Sequence, residues 1–170
     1  MLTRAYGHTL RAARPSDAEV VRNLIALSEL RVQQSRFAEA DSLARRALDH
    51  AGRRLGPRDP VVNEAMLAAG NALAASGDYD EALPLIQEVV RRRSAPGEAG
   101  AELARAMTAE LVVHQYLGRW READSLGARV LAMSRELHGE RHPNVAHDLI
   151  TLGAGALQRG RAEEAERQFR

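Results

Sequence analysis

The apolar residues of this chain recur every three or four positions, which is the spacing of one buried face on an α-helix. Between residues 60 and 76 the pattern predicts a helix whose inward face carries Met66, Ala69, Gly70 and Leu73. Gly77 ends that helix, and Asp78 is placed to cap a second helix over residues 79–93. The next stretch repeats the plan, with a stop at Gly118. The pattern therefore predicts pairs of helices joined by tight turns.

The helix pairs recur at a regular interval along the chain. A Glu-Ala pair follows a turn signal in four segments, and these pairs are separated by steps of 42, 41 and 42 residues. Pro60 in LGPRDP and Pro143 in HGERHP keep the same period, because they lie 83 residues apart. These landmarks divide the chain into the tail of a truncated repeat at 1–16, repeats at 17–58, 59–99 and 100–141, and a partial repeat at 142–170. Because both ends fall inside a repeat, we expect a fragment of a longer array.

The residues at the turns fit this plan. Gly77, Gly118 and Gly160 end the first helices, where a left-handed backbone is easiest for glycine, whereas the first repeat has Ser35 there. An aromatic residue follows in three repeats and is expected to fill the gap between paired helices: Phe37, Tyr79 and Trp120. A small residue lets the helices approach closely at four equivalent positions: Ala40, Ala82, Ala123 and Ala165. Gly127, inside a second helix, marks either a kink or a close contact.

A helix, the sequence G-[RD]-[YW]-x-E-A, a second helix and LGxxHP together resemble tetratricopeptide repeats. The period near 42 residues is similar to the longer repeats of kinesin light chains and of many bacterial regulatory arrays. The resemblance covers nearly the whole chain. It implies an all-α fold, a right-handed superhelical solenoid of antiparallel helix pairs that stabilises itself by stacking. It also implies a non-catalytic interaction module without a cofactor.

In this family the first helices line a concave groove that binds a partner. The corresponding positions here are Arg22, Ile25, Glu29, Val32, Glu64, Leu67, Asn71, Ala74, Arg105, Thr108, Val112, Gln115, Tyr116, His147, Ile150, Ala154 and Leu157. Chaperone-binding relatives hold a terminal carboxylate with Lys, Arg and Asn. Their positions are occupied here by Ile25, Leu67, Thr108 and Ile150, so that clamp is not expected. The resemblance therefore implies a peptide ligand that is more apolar than acidic.

The stretch HGERHPNVAHD at residues 138–148 raises the alternative of a metal or catalytic site. A zinc ion needs three or four converging ligands, and His142 and His147 are five residues apart, so they do not share a helix face. His142-Pro143 instead lies where the repeat demands a helix start, because proline suits the first helical position. His138 falls at the end of the preceding helix, and Asp148 near the positive end of the next helix dipole. His147 alone faces the predicted groove.

Composition narrows the function further. All 24 basic residues are arginine, as in a GC-rich bacterial genome, and the net charge of +1 offers no general attraction for nucleic acid or anionic lipid. The arginine clusters at 45–46, 53–54 and 91–93 lie on second helices, where glutamates are near. There is no cysteine, no long apolar run and no signal-peptide pattern, so we expect a cytoplasmic protein without a membrane partner. Phosphate-binding loops and a nucleophile elbow are absent from the sequence.

These observations favour a scaffold or regulatory domain that binds a peptide or protein segment, as part of a larger bacterial signalling protein. The alternative is a structural module whose groove and open ends pack on another copy of the chain or on another domain. Unpaired terminal helices would leave apolar stripes in water, which favours such homo-oligomers.

Overall fold

The computed structural model describes residues 16–94 and 100–169. The helices within these ranges are α1 (Asp17–Gln33), α2 (Phe37–Arg54), α3 (Pro60–Ser76), α4 (Tyr79–Arg93), α5 (Ala101–Tyr116), α6 (Trp120–His138), α7 (Pro143–Gln158) and α8 (Ala162–Phe169). The same ranges contain no β-strand. The predicted all-α class is confirmed, and α3 and α4 have the predicted bounds. The truncated repeat at the N-terminus and most of the junction at 94–100 lie outside the described residues.

The chain divides into two compact units, one up to Ala68 and one from Ala69 onward. In the first unit α1 packs against α2, and the buried hydroxyl of Ser28 donates a hydrogen bond to the carbonyl oxygen of Ala40 at 2.8 Å. Every third or fourth residue along one face of α2 is a fully buried alanine: Ala40, Ala44, Ala47 and Ala51. Because these side chains are small, the two helix backbones approach closely, as predicted from Ala40.

In the second unit each helix from α4 to α8 packs against the next one along the chain. Its core is an apolar cluster on α5 and α6 that includes Leu103, Met107, Leu111, Leu126 and Val130. The predicted small positions at Ala82, Ala123 and Ala165 are all buried. Gly127 is buried too, and α6 continues through it without interruption. A Cβ atom there would overlap Leu152 of α7, so this glycine marks a close contact.

The four turns within helix pairs share one hydrogen-bonding scheme. After each turn a backbone N–H donates to the carbonyl oxygen five residues earlier, as in a Schellman cap: Arg36 to Arg31, Asp78 to Leu73, Arg119 to His114 and Arg161 to Ala156. The residue before each donor has a positive φ, which confirms the prediction for the three glycines. In the first turn Ser35 adopts the same conformation, with φ at 58°.

The predicted cap at Asp78 is wrong. Its side chain accepts no hydrogen bond from the first turn of α4, because its ψ of 58° differs from the extended backbone that lets a cap side chain reach that turn. Phe37 differs as well from its predicted place in the gap between α1 and α2, since it is 37% exposed.

Candidate partner-binding groove

A cavity of about 500 Å³ opens in the second unit. Its walls come from the end of α3, the start of α4, one face of α5, the end of α6 and the start of α7. Along α5 three of the lining residues are alanines, Ala101, Ala104 and Ala109. These small side chains leave the space that larger residues would fill. This face of α5 therefore contributes most to the shape of the cavity.

One end of the cavity is aromatic. The ring of Tyr79, at the start of α4, stacks on the ring of Tyr116, at the end of α5, with centroids 5.0 Å apart and an angle of 8°. Burial raises the pKa of the Tyr79 phenol, and the neighbouring Tyr116 raises it further. Tyr79 therefore stays neutral at any ordinary pH, with a hydroxyl that can donate a hydrogen bond. Its ring packs on Tyr116 and lines the cavity.

A buried carboxylate forms part of the cavity wall. Asp148 is 4% exposed, and its two oxygens accept hydrogen bonds from the hydroxyls of Ser134 at 2.5 Å and Thr108 at 3.2 Å. These residues lie on α7, α6 and α5, so one carboxylate joins three helices. The sequence pattern placed Asp148 near a helix dipole and contained no sign of these partners. In the structure, Asp148 links the three helices that form this part of the cavity wall.

Two histidines lie at the junction of α6 and α7, and one of them, His138, lines the cavity. The rings of His138 and His142 stack with centroids 4.3 Å apart. Nδ1 of His142 accepts a hydrogen bond from the backbone N–H of Asn144 at 3.2 Å, so His142 caps α7, which begins at Pro143 as predicted. The Asn144 side chain lies 3.1 Å from Nε2 of His138. Across residues 16–94 and 100–169, no three His, Asp or Glu side chains are arranged to hold a metal ion.

Seven of the predicted groove residues in this unit line the cavity: Asn71, Ala74, Arg105, Thr108, Val112, Tyr116 and His147. Gln115 does not, because its amide turns away and donates to the carbonyl oxygen of Thr151 at 3.2 Å. Three others lie on the exposed face of α7 outside the cavity: Ile150, Ala154 and Leu157. The predicted groove positions on α5 therefore coincide with the cavity more closely than those on α7.

The first unit contains the remaining six predicted positions. Arg22 on α1 forms an ion pair with Glu64 on α3 at 3.3 Å, so two residues one period apart face each other. Glu29 is exposed, and Ile25 and Val32 are half-buried. Leu67 is only 8% exposed. Its side chain belongs to the core more than to a binding surface.

Five lining residues with hydrogen-bonding side chains were missed by the repeat pattern: Tyr79, Ser134, His138, Asn144 and Asp148. Three of them, Tyr79, His138 and Asn144, lie at helix ends, where the pattern indicated only structural roles. A usable signal did exist in HGERHPNVAHD, since a polar cluster at a junction can also face a groove. The sequence singled out His147 alone in this stretch, whereas His138, Asn144 and Asp148 line the cavity as well.

A second polar group lies buried between α4 and α5. Glu110 and His114 are 8% and 5% exposed, and the amide of Gln87 donates to Glu110 Oε1 at 2.9 Å. Nε2 of His114 lies 3.6 Å from the same oxygen. Neither Glu110 nor His114 lines the cavity. This group therefore joins two helices away from the candidate site.

The arginine clusters are engaged in local ion pairs. Arg45 and Arg53 pair with Asp41 and Asp49 one turn earlier on α2. On α4, the guanidiniums of Arg91 and then Arg92 hold the pKa of the Glu88 carboxyl at about 2. The second helices thus carry mixed charge, as expected, although the partners on α2 in these pairs are aspartates and not glutamates. Among the described residues, no helix combines the length and apolarity needed to cross a bilayer.

The chain is similar to known helical repeat proteins. A tetratricopeptide repeat family model matches residues 19–95 and 111–170, more than half of the chain. No curated protein matches the sequence. Among solved structures, BtubC (BKLC) from P. vanneervenii is similar with a TM-score of 0.73 and 19% identity, over 98% of this chain and 65% of BtubC. This chain therefore spans less than two thirds of that protein.

Two crystal structures of nearly identical TPR-like repeats from Podospora anserina, assigned to a kinesin light chain, are also similar. One of them carries a single substitution and has a TM-score of 0.77, and the other has a TM-score of 0.78. Each is 18% identical, and each match covers 91% of this chain and 74% of the other. At this level of identity the likeness establishes the fold, including the long kinesin-light-chain-like repeats.

Proposed function

The chain belongs to the tetratricopeptide repeat family, and from that premise we propose that it binds a peptide or protein segment in the cavity along α5. Proteins of this family generally serve as interaction scaffolds. A non-catalytic role accords with the same premise, since the buried carboxylate of Asp148 is engaged in joining the helices of the wall. The observation that carries the proposal is the cavity itself, whose lining combines small apolar residues with hydrogen-bonding side chains.

The size and chemistry of the cavity suit part of a polypeptide. Its volume of about 500 Å³ lies within the range of ligand sites and would accept a few side chains of an extended segment. Val112 and the alanines of α5 offer apolar contact, while Asn71 is exposed and can bond to a peptide backbone. Arg105 lines the same wall and makes no ion pair with another described residue. Its guanidinium is therefore available to a partner.

The wider context is part of the proposal. We infer that the chain acts in the cytoplasm, within a larger bacterial signalling protein, and takes neither nucleic acid nor membrane as its partner. The small net charge and the ion pairs of the arginine clusters support the exclusion of nucleic acid. The arginine-only basic composition supports a bacterial source.

The alternative is a structural module that packs on another copy. The exposed face of α7 favours it, because Ile150 and Leu157 are 57% and 53% exposed and lie on the same side of the helix. In that case the wild-type chain should form oligomers as its concentration rises. Light scattering on Ile150→Asp and on the wild type would then differ, with the variant remaining monomeric.

Selection of a random peptide library on the immobilised chain tests peptide binding directly. Selected peptides should lose at least tenfold in affinity, on the order of 1.4 kcal/mol, with Arg105→Glu or Tyr116→Ala, both exposed lining residues. Arg129→Glu is the matched control, because Arg129 is exposed on α6 and lies outside the cavity. Peptides that bind all variants equally would overturn the proposed site.

A further inference from the structure

Two helix starts in this protein are built on the same plan with different chemistry. Asp59 precedes Pro60, and its Oδ1 accepts a hydrogen bond from the backbone N–H of Val61 at 2.9 Å. His142 precedes Pro143, and its Nδ1 accepts from the backbone N–H of Asn144 at 3.2 Å. In each case the side chain caps the N–H two residues ahead. The repeat thus places a carboxylate at one junction and an imidazole at the other.

The two caps differ in their response to acid. An aspartate keeps its acceptor oxygens throughout the range near neutrality, whereas a histidine gains its second proton at mildly acidic pH. In the doubly protonated imidazole both ring nitrogens are donors, so neither can accept from a backbone N–H. The new positive charge would also lie at the positive end of the helix dipole. The cap of α7 therefore depends on a neutral His142, and the cap of α3 has no such requirement.

A second histidine makes the same demand. His138 stacks on His142 with ring centroids 4.3 Å apart, and the side-chain amide of Asn144 donates to Nε2 of His138 at 3.1 Å. Asn144 thus donates through its backbone to one imidazole and through its side chain to the other. Protonation of both rings would bring two like charges face to face. Each of these two hydrogen bonds needs an imidazole nitrogen that carries no proton.

The surrounding charges do not compensate for such protonation. The charged groups beside the two histidines in the sequence are Arg135, Glu136, Glu140 and Arg141, and the charged or titratable groups that line the same cavity as His138 are Arg105, His147 and Asp148. Asp148 already accepts from two hydroxyls, and Glu140 pairs with Arg135 at 2.9 Å. Arg105 and Arg141 are exposed and positively charged, so they supply no compensating negative charge.

We infer that the α6–α7 junction is a pH-sensitive wall of the candidate groove. At neutral pH, His142 caps α7 and keeps His138 and Asn144 in place as lining residues. Mild acid removes the cap, loosens the first turn of α7 and releases these two residues from the wall. The consequence for a partner rests on the proposed function, whereas the change at the junction does not. A partner bound at neutral pH would be released on acidification.

Amide hydrogen exchange by NMR on the full chain tests this inference. The probes are the amides of Asn144, which donates to the cap, and Ala146, which donates to the His142 carbonyl oxygen at 3.2 Å. Their protection factors, corrected for the intrinsic pH dependence, should fall about fivefold between pH 7.5 and pH 5.0, as expected for the loss of one N-cap. His142→Asp copies the cap of the other junction and should make protection equal at both pH values. Asp59→His should transfer the pH response to Val61.

The outcomes are distinct. Protection that is equal at both pH values in the wild type would overturn the inference, as would a fall that persists in His142→Asp. The reciprocal variant, Asp59→His, keeps the test decisive even if His142→Asp perturbs folding. The exchange measurement uses no partner. Failure to select any peptide would therefore overturn the proposed function alone, and a flat exchange profile would overturn the pH-sensitive wall alone.

Discussion

Replacing Asp148 should reveal how strongly one buried carboxylate holds the cavity wall. Asp148→Ala removes the acceptor for Ser134 and Thr108. Thr108 keeps a second acceptor, the Ala104 carbonyl oxygen at 3.0 Å, but the Ser134 hydroxyl, 2% exposed, is left without one. A hydrogen bond to a charged group contributes about 1.5–3 kcal/mol, and an unsatisfied buried hydroxyl costs about 1–3 kcal/mol. The free energy of unfolding should therefore fall by about 3 kcal/mol.

A double-mutant cycle tests the reasoning more sharply than the single change. Ser134→Ala alone should cost about 2 kcal/mol, because it leaves the buried carboxylate with one hydroxyl partner. The pair Asp148→Ala/Ser134→Ala should cost about 3 kcal/mol, well below the sum of the single changes, since neither group is then left unsatisfied. Urea unfolding followed by fluorescence of Trp120, the single tryptophan, reports on this unit. Thr151→Ala, which removes a hydroxyl bonded to the His147 carbonyl oxygen within α7, serves as control. Strictly additive costs would refute the proposed link.

Three further predictions concern the backbone and the ion pairs. Gly70→Ala should destabilise the protein by about 1 kcal/mol, since its Cβ would lie 2.6 Å from Ile86 Cγ1, whereas Gly52→Ala, with open space, should stabilise it by about 1 kcal/mol in urea unfolding. Ser35→Gly should stabilise by about 0.5–1 kcal/mol in the same assay, because it relieves the positive φ; no gain would contradict that strain. Glu88 has its pKa lowered to about 2, so its ion pairs contribute stability above its ordinary value of 4.5 and lose it as pH falls through about 2. Carbon-13 NMR should show this carboxylate ionised at pH 3, and Arg91→Ala should raise its pKa.

The repeat period predicted the backbone better than the side chains. The bounds of α3 and α4 and the positive φ of the turn glycines followed from the sequence, because they depend on local patterns that the chain repeats. At Gly77 and Gly118, for example, the positive φ depends only on the turn in which the glycine lies. The cap at Asp78 failed because its backbone angle is set by the preceding turn. Helical spacing carries no information on such an angle.

The direction of a side chain in the candidate groove cannot be predicted from the repeat period alone. Gln115 has a groove position by its spacing, but Gly155 on α7 leaves room for its amide, which turns away to bond Thr151. A Cβ at residue 155 would overlap that amide. The direction of Gln115 is therefore decided by a residue 40 positions later in the chain. A pattern read along one helix cannot contain that information.

The two junctions differ from each other in the chemistry of their caps. The face of α5 follows the general repeat. Its alanines and Val112 therefore indicate a groove but not which partner it binds. His142 matches the LGxxHP motif of the repeat, and Asp59 at the equivalent cap of the other junction is the departure from it. A carboxylate in place of His142 would preserve the fold of the junction. An imidazole at residue 142 therefore changes the chemistry of the cap without changing the fold of the junction. The variants His142→Asp and Asp59→His test these two effects separately.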